Sequence, residues 1–327
     1  MRESPVAATE GVCAPAGSGA GNACADGLSG GSSLRHWSAS LDLRFAARDG
    51  QTVLVSNRHR GPLRLIKALH ADPAEPSAVP VPRRGRLDAI IVHPPGGLVD
   101  GDSLQLTIDL DEGACVRSTT PGSQKWYRGR ASARTHIRVA SGAQLEWLPQ
   151  PTIVYDGAYV DQSLLIELAG QASTIGSECL VLGRRSMGER FVRGWLRQAI
   201  RIHRDGRPIW QERTDAAADS GLWQSPAGWA GRVVCASVWA IGGRDQTWDD
   251  AALVEDWRGA LEVASTYEAS QGRHILAGAT RMSSGIVLAK ILGDEAGEVA
   301  ALAQHLWALA RPGVLGEPAR PVRIWAT

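Results

Sequence analysis

Glu146, in Leu145-Glu146-Trp147-Leu148-Pro149-Gln150, and Asp156, in Asp156-Gly157-Ala158, are two acids close enough in sequence to act as a pair. In a Trp-rich β-sandwich they would be the acid and the base or nucleophile of a glycoside hydrolase. The plainer reading is an exposed glutamate and a turn aspartate, since nothing local separates the two cases and Asp-Gly is a turn dipeptide. A second grouping is His93-Pro94-Pro95-Gly96-Gly97-Leu98-Val99-Asp100-Gly101-Asp102. Two prolines fix φ and the glycines allow positive φ, so the segment is a stiff, shaped turn. It either holds an imidazole and a carboxylate beside a polar channel or simply joins two strands, with Asp102 bonded to its own backbone. Turn chemistry favours the second.

Other constellations are weaker. Thr119-Thr120-Pro121-Gly122-Ser123-Gln124-Lys125-Trp126-Tyr127-Arg128 sets bases beside aromatics, as a strip for single-stranded nucleic acid would. One such cluster in a charge-neutral chain is weak evidence, and packing at a strand edge explains it better. Gly27-Leu28-Ser29-Gly30-Gly31 matches the GxSxG nucleophile elbow but lacks the strand before and the helix after that the elbow requires. There is no HExxH, no GxxxxGK[ST] and no Cys/His zinc spacing, and the eight histidines form no HxH or Hx3H pair. A metal site would have to converge from distant strands.

The elements that must position these residues are mostly strands. Leu41, Leu43 and Phe45 alternate with polar residues, as do Leu104, Leu106, Ile108 and Leu110, then Ile137 and Val139, then Leu164, Ile166 and Leu168. Period two with turn residues every ten or so positions predicts many antiparallel strands. The fold class expected is mainly β, with many-stranded antiparallel or mixed sheets in β-helix-like layers. A parallel α/β sheet would need helical crossovers, which the middle of the chain lacks. Pro149 and Pro151 predict an edge or a bend after Trp147, with Leu145 and Trp147 on one face and Glu146 on the other. About two helices are expected near the C-terminus, at 249–261 and 294–311, the second stopped by Pro312-Gly313. Residues 1–33, rich in Gly, Ala and Ser, read as a flexible tail, and 34–327 as one β-rich domain.

Composition narrows the function. The 35 Lys and Arg against 34 Asp and Glu give no electrostatic pull toward nucleic acid or an anionic membrane, so protein partners are expected. Five scattered cysteines without a CxxC pair, no apolar span and no basic-plus-apolar leader fit a cytoplasmic protein. Twelve Trp suit cores, protein interfaces or sugar platforms.

Read in order, the blocks form a pattern. Gly61-Pro62-Leu63-Arg64 is followed by His93 to Val99, Gly101-Asp102, Thr119-Thr120-Pro121, Lys125 with Tyr127-Arg128, and Leu145 to Gln150. Asp156-Gly157-Ala158, Leu182-Gly183-Arg184, Gly188-Glu189 with Phe191, and Arg323-Ile324-Trp325 complete the series. From about Leu34 to the C-terminus this succession resembles the UreD (UreH) family. The resemblance implies a mostly β, non-catalytic urease maturation chaperone. Such a protein bridges UreF, and UreG through it, to the urease apoprotein, and offers nickel a polar internal channel with no tightly bound cofactor. Matching blocks carry Asp102, Asp156 and Glu189 forward as contacts for nickel in transit, with His93 a lesser candidate. Weak oxygen ligands suit passage, whereas a closed Cys/His cage would trap the ion. Two departures stand out: Asp100, where the family more often has a small residue, and Pro151, where a glutamate is common after Leu-Pro-Gln.

Overall fold

The structure is a computed structural model that describes residues 37–70, 85–244, 248–272, 274–320 and 322–326. The expected tail at 1–33, with its GxSxG match and Cys13 and Cys24, lies outside the described residues. In chain order the first strands are β1 (Ser38–Arg48), β2 (Gln51–Arg60), β3 (Arg64–His70), β4 (Leu87–Val92), β5 (Gly97–Leu98) and β6 (Ser103–Leu110). The next are β7 (Cys115–Thr119), β8 (Gln124–Trp126), β9 (Gly129–Val139), β10 (Gln144–Leu148), β11 (Thr152–Val154) and β12 (Ala158–Leu168). The last are β13 (Ser173–Leu182), β14 (Gly194–Arg204), β15 (Arg207–Ala217), β16 (Val234–Ile241), β17 (Leu276–Met282) and β18 (Ile286–Gly293). Helices α1 (Asp250–Ser270) and α2 (Ala296–Leu315) come late, as expected.

The strands form two sheets. The first runs β15-β14-β12-β9-β6-β1-β2 and the second β17-β18-β16-β13-β10-β7-β4-β3, with β11, β8 and β5 continuing from the far half of β13. The chain visits the sheets in turn. From β6 it crosses to β7, bends into β8, returns as β9, and repeats the circuit through β10 and β11 to β12. The layered, mixed β-architecture is therefore as expected, but its centre is parallel: β1, β6, β9, β12 and β14 pair parallel, and so do β4, β7, β10 and β13. Antiparallel pairs are confined to the flanks. The crossover that a parallel pair needs is supplied by a strand of the opposite sheet, so no helix is required. Each circuit takes 29 residues, as in Ser103↔Ser132↔Asp161 and Cys115↔Gln144↔Ser173, until the step Asp161↔Arg197 takes 36.

The inward residues stack from circuit to circuit. Ile108, Ile137, Ile166 and Ile202 form one ladder, all fully buried between the sheets. A second core lies on the far face of the second sheet, where Ile175, Val234, Val238 and Val287 meet Trp257 of α1 and Leu306 and Trp307 of α2. Strand β16 is buried on both faces, and its cysteine, Cys235, is inert: burial pushes the thiol up to about 11.

Two boundaries differ from the sequence reading. Helix α1 starts where expected, with Asp249 Oδ1 accepting from Ala252 N at 2.8 Å, but runs on to Ser270. Pro312 does not stop α2 but lies inside it; the helix ends at Gly316, whose φ is 74°. A proline in the last turn removes a single ladder bond, and buried Val314 and Leu315 hold that turn on the sheet. Among the described residues no helix is long and apolar enough to cross a membrane.

Candidate functional site

The two inner faces are not apolar throughout. Two rows from the isoleucine ladder, toward the start of the first-sheet strands, the stack reads Leu104, Ala133, Gln162, Gln198. Ala133 leaves room where a larger side chain would close the gap, and a cavity of about 320 Å³ opens there between the sheets. His93, Trp147, Gln162 and Glu178 contribute to its walls. Trp147 Nε1 donates to Glu178 Oε1 at 2.7 Å, and Gln162 Nε2 to Glu178 Oε2 at 3.4 Å.

Beyond Glu178 the polar character continues. Glu178 is in register with Ser237, and Ser237 with Lys290. Ser237 Oγ donates to both carboxylate oxygens of Glu212 at 3.0 Å, and Lys290 Nζ pairs with that carboxylate while donating to Ser237 Oγ at 2.9 Å. A polar file thus crosses the intersheet space from His93 to Lys290. Among the described residues several of its buried atoms find no protein partner: both ring nitrogens of His93, Gln162 Oε1, Gln198 Nε2 and Trp239 Nε1. Buried polar atoms in a space of this size are normally satisfied by water or ions.

Electrostatics sets the state of the two titratable walls. Burial lowers the His93 pKa, against a smaller opposing pull from Asp102, so the imidazole is neutral at pH 7 and keeps a lone pair. Burial pushes Glu178 up to about 7; the Trp147 donor opposes this and Glu212 adds to it. The site therefore combines a neutral imidazole, amide oxygens and a carboxyl near half-ionisation. Such groups bind a divalent cation weakly and let it go. Among the described residues no three or more His, Cys, Asp or Glu are arranged to hold a metal ion.

The acids carried forward as nickel contacts, Asp102, Asp156 and Glu189, sit at or beside turns, each bonded to backbone or to arginine. Asp102 is buried; its two oxygens accept from Trp37 N and Val99 N, both at 2.9 Å. Asp156 Oδ1 accepts from Val192 N at 3.0 Å and Arg193 N at 2.8 Å, and its other oxygen pairs with Arg193. Burial would raise the Asp156 pKa, but the Arg193 and backbone donors lower it. Glu189 reaches the same turn: Oε1 accepts from Asp156 N at 2.9 Å, and Oε2 pairs with Arg184. The structure thus brings Asp156 and Glu189 together, whereas of the expected candidates only His93 lines the intersheet cavity. Asp100, one of the departures, accepts from Arg130 N at 2.7 Å and so ties one circuit to the next. Pro149 and Pro151 make the bend between β10 and β11.

The glycosidase pairing of Glu146 with Asp156 is not formed, and Glu146 is not exposed. It projects from β10 toward the helices, fully buried, with Arg86 at 3.0 Å, Arg311 at 2.8 Å and Trp307 Nε1 at 2.6 Å. Burial alone would raise its pKa; the two guanidinium groups outweigh that and hold it at about 2. It is a structural anion. Glu178, Gln162 and Glu212 were missed by sequence reading, although a glutamate inside the almost wholly buried stretch Ile175–Leu182 is itself a signal, since an acid seldom enters a buried strand without a role.

The UreD urease accessory protein family matches residues 38–326. The chain belongs to that family. It is 38% identical over 293 residues to the urease accessory protein UreD of Pseudomonas fluorescens, an alignment covering 89% of this chain and 95% of that one. Against the UreD of Dechloromonas aromatica the identity is 38% over 294 residues, again 89% and 95%, and against that of Azoarcus sp. it is 39% over 294 residues, 89% and 94%. The HPPGGLV and LEWLPQ segments that carry the UreD resemblance are, in the fold, the cavity-side turn at His93 and the strand that presents Trp147 to Glu178.

Proposed function

We propose that the chain is a urease maturation accessory protein that bridges UreF, and UreG through UreF, to the urease apoprotein. In this reading it gives nickel a polar internal route toward the urease active site. Family membership supports the maturation role. The observation that carries the route is the intersheet cavity with Glu178 at its wall and unpartnered polar atoms along the file beyond it. A nickel ion stripped of ligands in an apolar core would be prohibitively costly, so a route through the interior must be wet and lined by oxygen and nitrogen. His93 and Glu178 supply such ligands in a number too small to trap the ion. Asp102, Asp156 and Glu189 shape the turns around the route, and the protein itself performs no bond chemistry.

Co-expression of the chain with UreF, UreG and apo-urease, followed by isolation of the complexes, tests the bridging role. The expected outcome is one assembly containing both UreF and urease. Failure to bind either would end this reading.

A further inference from the structure

The outer face of the first sheet changes character along its strands. Toward the strand ends it carries paired charges, Arg138 with Asp109 and His136 with Glu167, a surface suited to water. At the strand starts it carries aromatics. Tyr159 and Trp195 are register neighbours on β12 and β14, point outward, and are 43% and 41% exposed. They flank an open groove of about 400 Å³ in which Gly101, Ser103 and Ser132 leave the space unfilled. Exposed Trp37 and Val99 adjoin it, both tied through their N–H groups to Asp102, which also lines the groove.

The charges around this groove are unevenly spent. Asp102 is taken up by backbone donors, Asp161 pairs with Arg134, and Asp215 is held by Trp195 Nε1 at 2.6 Å and by Arg197 at 3.2 Å. The Arg130 guanidinium stacks 5.4 Å from the Tyr159 ring centre, and among the described residues no carboxylate pairs with it. Trp, Tyr and Arg gathered round a concave, uncovered patch are the composition of a binding hot spot. The surplus cation fixes the sign of what it takes.

We infer that the Tyr159–Trp195 groove is a docking site for a segment of a partner protein that presents a carboxylate beside an apolar side chain, the carboxylate meeting Arg130 and the apolar group seated between the two rings. The inference rests on the bridging reading, because it supplies one of the two surfaces a bridge requires.

The test measures affinities of the purified chain for UreF and for urease apoprotein separately, using the wild type, Arg130→Glu and the double variant Tyr159→Ala/Trp195→Ala. Arg130→Glu, an exposed change, should weaken one of the two complexes at least tenfold, and the gap should narrow as salt is raised. The double variant should weaken the same complex a hundredfold or more with an unaltered circular dichroism spectrum. Wild-type affinity of both variants for both partners would overturn the inference while leaving the bridge intact. So would a change confined to self-association, because the occupant would then be a second copy. A wild-type chain that bound neither partner would overturn the bridging reading and this inference together.

Discussion

Glu146 and Glu178 lie on neighbouring strands of the second sheet, both buried, yet they face opposite sides and titrate in opposite directions. Glu146 has two arginines, so it binds its proton less readily folded than unfolded. Its contribution to stability is present above 4.5 and is lost as pH falls toward about 2. Glu146→Gln leaves the buried Arg86 and Arg311 with only the half-buried Glu317 carboxylate, 3.7 Å from each, and should cost about 3 kcal/mol in a urea titration at pH 7. An acid serving only in catalysis would be nearly neutral to stability. Among the described residues no cation pairs with Glu178, and it binds its proton more readily in the folded state. The stability tied to that proton is fully present below 4.5 and is lost as pH rises to about 7, a swing on the order of 3 kcal/mol. Thermal melts from pH 5 to 7.5 should therefore show a falling Tm for the wild type and a flatter profile for Glu178→Gln. Parallel profiles would mean that the Glu178 carboxyl is solvated and titrates near its ordinary value.

The stacked circuits make some backbone positions far less tolerant than others. Gly194 opens β14 with φ of 115°, and a Cβ there would lie 2.1 Å from the Ala158 carbonyl oxygen of the parallel strand beside it. Gly206, in the β14–β15 hairpin, also has positive φ but open space around it. Gly194→Ala should cost well over 3 kcal/mol, combining backbone strain with a clash against main chain, whereas Gly206→Ala should cost about 1 kcal/mol. Comparable midpoints in urea for the two variants would contradict the stacking. The circuit was hidden in the sequence for a related reason. Alternation reports which face of a strand is buried, not which strand lies beside it, so the apolar runs at β6, β9 and β12 revealed strands but not their parallel order. The clue lay in identical residues one circuit apart, Ile108, Ile137 and Ile166. The helices were readable from their caps and periodicity, while their far ends were set by packing, as Pro312 shows. At the site, turn residues such as Asp102 and Asp156 were visible because Gly and Pro mark their neighbourhoods. Glu178 and Gln162 sit within regular strands, and only the fold aims them into one space.

At the scale of the whole molecule, the apolar ladder and the polar file divide the same intersheet space. The isoleucines close it at one level and Ala133 opens it two rows away. A protein that only bridged partners would have no use for that opening, since a filled core gives more stability. The proposed passage can therefore be tested apart from the proposed bridge by closing the opening from within. Ala133→Leu places a large side chain in the cavity wall, at a cost of about 1–3 kcal/mol for overpacking, and touches no outward residue. Urease co-expressed with this variant should be recovered in complexes of normal composition but with at least tenfold less nickel by elemental analysis, and with activity reduced in proportion. Gln162→Leu, which removes a polar wall without adding bulk, should act in the same direction. If both variants deliver a full complement of nickel while the complexes persist, the ion travels outside the sheets and the opening at Ala133 has another use. If nickel falls only as far as complex yield falls, the interior matters through folding alone.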